Sequence, residues 1–160
     1  LFAGGYVTPV SATSGNLKII ESFNIASKGT DSVDFGDLNR IRWGPSGSSN
    51  SIRMIVAGGR SPNTGAQSTN SIEFITMASR GSGIDFGVMS SDKVRFTSVA
   101  SETRCVFATG DRHPASGELN IIEYINIASG GDTQDFGDMS TETQYARGGF
   151  SDCHGGLGGF

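Results

Sequence analysis

The stretch Ile122-Glu123-Tyr124-Ile125-Asn126-Ile127-Ala128-Ser129, with Asp135-Phe136-Gly137 just beyond it, decides the reading of this chain because it is written three times. Its earlier forms are Ile20-Glu21-Ser22-Phe23-Asn24-Ile25-Ala26-Ser27 before Asp34-Phe35-Gly36, and Ile72-Glu73-Phe74-Ile75-Thr76-Met77-Ala78-Ser79 before Asp85-Phe86-Gly87. Glu21, Glu73 and Glu123 stand 52 and then 50 residues apart, a period found in propeller blades and other repeat architectures. A chain of this kind makes a scaffold or a binding surface more readily than a single catalytic constellation.

Outward from that segment, each copy divides into four strand candidates. The first is an apolar run closed by glycines, as in Met54-Ile55-Val56-Ala57 before Gly58-Gly59. A Ser/Gly/Asn/Thr loop of varying length follows, then the Ile-Glu strand, then a turn at Asp-Phe-Gly. The fourth strand is expected around Asn50-Ser51-Ile52-Arg53, running directly into the next copy. From Asp34 to Arg53, Asp85 to Arg104 and Asp135 to His154 the count is always 19 positions. A constant length implies that packing fixes this half while the loop half is free to vary. The repeats are thus 1–53, 54–104 and 105–154, with 155–160 as the opening strand of a further one. We expect the chain to be part of a larger array.

Composition agrees with strands. Glycine accounts for 24 of 160 residues and charged residues for only 18%, and short apolar runs between Gly, Ser, Thr and Asn make strands and tight turns. A net charge of −4 offers no basic footprint for nucleic acid. No apolar run approaches the ~18 residues of a membrane span, so no membrane insertion is expected. Cys105 and Cys153 form no CxxC or metal-ligand spacing. A disulfide between neighbouring repeats and two free thiols both remain open.

Four strands per ~50 residues with a glycine pair after the first is the layout of a kelch-type blade. The copies resemble kelch-like β-propeller repeats of the virion structural and tail-fibre proteins of tailed, particularly marine, phages. The residues that carry this are Arg104-Cys105-Val106-Phe107-Ala108, Ile122-Glu123-Tyr124-Ile125-Asn126-Ile127-Ala128 and Asp135-Phe136-Gly137-Asp138-Met139. Departures are Val88 where the other copies have Asp37 and Asp138, Thr109 for the first glycine of a pair, and His154 for an arginine. The resemblance implies an all-β fold of four-stranded antiparallel blades, three repeats plus the first strand of a fourth. It also implies a virion or extracellular setting and a non-enzymatic structural or adhesive role. The variable loops 6–15, 61–70 and 111–120 would then meet a host receptor or surface glycan. Propellers close with about four to eight blades, so the expected partners are the chain itself or further repeats of the same polypeptide. Two other readings are a protein–protein interaction propeller in a larger cellular protein and the non-catalytic part of a glycan-active propeller enzyme.

The chemical candidates point the same way. Glu21, Glu73 and Glu123 share a strand face with apolar neighbours, where an unpaired charge is costly; Arg53, Arg104 and His154 are their expected structural partners. Asp34, Asp85 and Asp135 with Gly36, Gly87 and Gly137 are expected to shape turns, the carboxylate accepting turn N–H groups. Calcium needs six to eight oxygens, and no further acidic ligand sits nearby in sequence, so no metal and no cofactor is expected. No nucleophile motif accompanies His113 or His154, so no catalytic residue is assigned. Recognition is expected from unrepeated residues, namely Arg42 and Trp43 on a blade edge and Arg112 and His113 in a variable loop.

Overall fold

A computed structural model describes the chain apart from residues 7–15, 25, 27, 28, 30, 62–66, 115, 116, 144, 146, 147 and 152–160. The described strands are β1 (Phe2–Tyr6), β2 (Asn16–Ser22), β3 (Val33–Asp37), β4 (Ser46–Ser49), β5 (Arg53–Ala57), β6 (Arg60–Ser61), β7 (Gln67–Thr76), β8 (Ile84–Lys93), β9 (Thr97–Ala100), β10 (Arg104–Ala108), β11 (Leu119–Asn126) and β12 (Gln134–Thr143). They form three antiparallel sheets in chain order. The first is β1-β2-β3, the second β4-β5-β7-β8 with β6 on the start of β7, and the third β9-β10-β11-β12. The Ile-Glu segments are interior strands in all three, paired on both sides.

Two local expectations are corrected. Asn50-Ser51-Ile52 is a turn between β4 and β5, not a strand. The Asn50 side-chain oxygen accepts the Ile52 and Arg53 N–H groups at 2.9 and 2.8 Å, the Asx geometry that competes with strand pairing. The real strand lies earlier, at Ser46–Ser49, and pairs with the apolar run of the following copy, Ser48 opposite Ile55. Ser101 caps the equivalent turn between β9 and β10. Each of these two sheets therefore takes its opening strand from the repeat before it.

The Asp-Phe-Gly motif is likewise a bulge inside a strand rather than a turn. Ile20 pairs with Gly36 but Glu21 pairs with Asp34, so Phe35 is the extra residue. The same shift sets Phe86 between Asp85 and Gly87, and Phe136 between Asp135 and Gly137. A bulge bends its strand and increases the local twist. The sequence pattern of a turn and that of a glycine bulge coincide here, because both need backbone that only glycine adopts easily: φ is +154°, +156° and +133° at the three glycines.

The core lies between sheets. Ile20, Leu38, Val56 and Ile75 are buried where the first sheet meets the second. Ile55, Ile72, Phe86, Met89, Phe96, Phe107 and Ile125 fill the larger space between the second and third. The short strands stack as well: Ser46 Oγ and Ser98 Oγ lie 2.9 Å apart, and Asn50 Nδ2 donates to the Glu102 carbonyl at 2.9 Å.

Candidate functional site

Among the described residues the most elaborate polar structure is a pair of matching carboxylate sockets, one at each junction between sheets. Glu73 projects from β7 toward the first sheet and is 1% exposed. Its Oε1 accepts from Arg42 Nη2, and its Oε2 accepts the Asn39 N–H at 2.7 Å. Arg42 is wholly buried; Nη1 also donates to the Gly58 and Ser71 carbonyls at 2.9 and 3.2 Å, and Nη2 to Ser71 Oγ at 3.1 Å. One junction later Glu123 repeats the arrangement. Lys93 Nζ lies 2.5 Å from Oε1, while Oε2 accepts the Ser90 N–H at 2.9 Å and the Thr133 hydroxyl. Asn39 and Ser90 both stand five residues after the bulge aspartate, and Arg42 and Lys93 both stand eight after it.

Burial pushes the Arg42 guanidinium and the Lys93 ammonium below their ordinary values, against the pull of their carboxylate partners. Burial also works against ionised Glu123, but the adjacent Lys93 ammonium and the hydrogen bonds from Thr133 and Ser90 outweigh it and hold the carboxyl below its ordinary value. Glu73 and Arg42 bond each other and the backbone, whereas Lys93 Nζ faces Glu123 Oε1 as an ion pair without hydrogen-bond alignment, and Arg42 Nε is buried with no acceptor among the described residues. The arrangement locks sheet to sheet.

The bulges supply the second half of each junction. The loop of the following sheet lays its N–H groups on the bulged edge: Gly81 and Gly83 donate to the Phe35 and Asp37 carbonyls at 3.0 and 2.8 Å, and Gly131 and Thr133 to Phe86 and Val88 at 3.0 Å each. A Cβ at Gly36 or Gly87 would sit 2.3 Å from the Gly81 or Gly131 carbonyl oxygen, so close approach of backbone adds to positive φ in requiring glycine there.

The expected partners of the glutamates are corrected: Arg42 and Lys93 hold Glu73 and Glu123, whereas Arg53 and Arg104 do not. The reason is strand parity. Glu73 pairs across from Val56, so Arg53 and Ile55 lie on the other face of β5. There the Arg53 guanidinium covers the Phe74 ring at 4.5 Å and donates to the Ile127 carbonyl at 2.7 Å. Arg104 covers Tyr124 at 4.8 Å in the same way. Glu21, on the first sheet, is exposed and accepts from Ser32 Oγ at 3.1 Å. His154 lies outside the described residues. Arg42 is also corrected as a recognition residue, since its guanidinium is enclosed and bonded internally.

Trp43 is half-buried, its backbone bridged to Arg60 and its ring covered by the Arg60 guanidinium at 4.9 Å. Arg112 is exposed and donates to Ser91 Oγ at 3.2 Å. The His113 N–H donates to Ser68 Oγ at 2.8 Å, which seats this loop on the start of β7. Asp135 accepts the Gly137 N–H at 3.1 Å, the expected backbone role, and Asp37 pairs with Lys18 at 2.9 Å. Asp34 and Asp85 are exposed. Most of the variable loops (7–15, 62–66, 115–116) and Cys153 lie outside the described residues; Cys105 is a free thiol, fully buried. Among the described residues no three His, Cys, Asp or Glu side chains gather as metal ligands, and no helix is long and apolar enough to cross a membrane.

Lys93 is the residue that sequence reasoning missed, and Arg42 is the one it gave the wrong role. The signal was a base at the same offset after two successive bulge motifs, one copy ahead of each buried glutamate. Comparison with protein-family models and with curated proteins gives no match for this chain.

Proposed function

We propose that the chain is a non-enzymatic structural and adhesive repeat protein, a run of kelch-like propeller blades in a virion appendage or similar extracellular assembly. The observation that carries the reading is where the repeated residues go. The socket glutamates Glu73 and Glu123, the bulge glycines Gly36 and Gly87, and the Arg53–Phe74 and Arg104–Tyr124 stacks all serve contacts within and between sheets. Variation in length between copies falls in the loops after the glycines instead. In such a division the repeated half keeps the sheets in register and the loops carry recognition. Three sheets are fewer than the about four to eight blades that close a propeller, so further blades complete it. The motif resemblance supplies the virion setting.

A glycan array probed with the purified chain tests this. Binding that is lost when 61–70 or 111–120 is exchanged for a Gly-Ser linker, with every glycan recovered intact, is the expected result. Release of a shortened glycan would overturn the non-enzymatic assignment. Binding that survives exchange of every variable loop would overturn the division of labour.

A further inference from the structure

The two ends of the described molecule expose the two halves of the junction that is buried twice inside it. On the first sheet Phe2 and Phe23 are 59% and 44% exposed and stack on each other at 5.4 Å. Their counterparts Val56 and Ile75 in the second copy, and Phe107 and Ile125 in the third, are at most 2% exposed. Glu21 is exposed where Glu73 and Glu123 are buried. On the third sheet the bulged Phe136 is 57% exposed beside Tyr124. Among the described residues a Cβ at Gly137 meets nothing within 4 Å and β12 is an edge strand, its outward carbonyls at Phe136 and Asp138 corresponding to those that take loop N–H groups in β3 and β8.

We propose that the β12 face of the third sheet docks the Glu21 face of the first sheet of a second copy of this chain, repeating the internal junction between molecules. Ser32 of the second copy holds the position of Gly83 and Thr133, two residues before the bulge aspartate, so its N–H group donates to the Asp138 carbonyl. Glu21 meets the Ser140 N–H, the counterpart of Asn39 and Ser90, while Ser32 already bonds it much as Thr133 bonds Glu123. Phe2 and Phe23 cover the ground that Val56 and Ile75 cover inside. Continuity with two established junctions, position by position, favours a second copy over an unrelated protein. One part differs. Thr143 stands where Arg42 and Lys93 stand, so this junction lacks the cation and is weaker and more reversible than the internal ones. Head-to-tail contacts of this sort give rings or filaments. The inference rests on the stacked-sheet reading above and not on what the loops bind, so glycan binding by a chain that stays monomeric would sink this inference alone.

Sedimentation velocity over a concentration series tests it. The wild type is expected to associate, and Gly137→Ala to remain at the 16.7 kDa of one chain, because the added methyl meets only the docked loop. Ser32→Pro deletes a donor from the opposite face and gives the same loss, which keeps the test alive if Gly137→Ala fails to fold by circular dichroism. Thr143→Arg restores the missing cation and is expected to tighten association about tenfold, the scale of one added charged hydrogen bond. A wild type that stays at one chain throughout, with Thr143→Arg no different, would overturn the proposal. So would association that survives both blocking variants.

Discussion

Replacing Arg42 by Met is the sharpest test of the sockets. The change removes four donated hydrogen bonds, to the Gly58 and Ser71 carbonyls, Ser71 Oγ and Glu73 Oε1. The methionine chain refills much of the volume, so the loss is electrostatic more than steric. What remains is a carboxylate 1% exposed with the Asn39 N–H as its anchor. Breaking a buried pair from one side costs about 3–5 kcal/mol, a large part of a typical domain's 5–15 kcal/mol. For a chain of this size that corresponds to a fall in Tm of roughly 10 °C. Urea unfolding followed by far-ultraviolet circular dichroism measures it, with Lys18→Met as control, since the Lys18–Asp37 pair is about half exposed and is worth at most about 1 kcal/mol. Replacing Arg42 and Glu73 together by Leu removes the orphaned charge and should recover most of the loss. An Arg42→Met variant no less stable than Lys18→Met, or a double variant worse than the single, would refute the argument that the sockets hold the sheets together.

Three further outcomes are expected. Gly87→Ala drives a methyl to 2.3 Å from the Gly131 carbonyl oxygen and should cost about 2–3 kcal/mol, read as a lowered urea midpoint with unchanged slope. Folded Glu123 binds its proton less readily than the unfolded chain does; stability is therefore full above the ordinary carboxyl value of 4.5 and is lost as pH falls through the lower folded value. A Glu123→Gln variant should flatten that acid limb of a Tm-against-pH curve. Burial pushes the Cys105 thiol up to about 12, so it should resist a thiol reagent at pH 8 in the native chain and react at once in denaturant.

How legible was this in the sequence? The Ile-Glu repeat located one strand of every sheet, since a fixed period and alternating apolar residues leave few other structures possible; that this strand is interior came only from its pairing on both sides. Reading Glu73 and Glu123 as internal pairs also followed, because carboxylates among Ile and Phe must be neutralised. Their partners did not follow. Whether Arg53 or Arg42 reaches Glu73 depends on which residue of β5 lies opposite it, and one step of register moves a side chain to the other face. The bulge was hidden for a similar reason: Asp-Phe-Gly reads as a turn until its pairing with Ile20 and Glu21 is known. The fourth strand was misplaced because Ile52 and Arg53 lead straight into the apolar run, which masked the turn signal of Asn50, whose side-chain oxygen caps two N–H groups.

The forward placement of β4 and β9 has a bearing on how the chain melts. A segment cut at 54–104 would carry β5, β7 and β8 without β4, the strand that covers β5, and would surrender β9 to a sheet it does not possess. No such unit is closed upon itself. In a nearest-neighbour description of repeat proteins this shifts stability from the individual unit to the boundary between units. Melting of one sheet then strips an edge from the next, and the three should lose structure in a single transition rather than fraying one after another from an end.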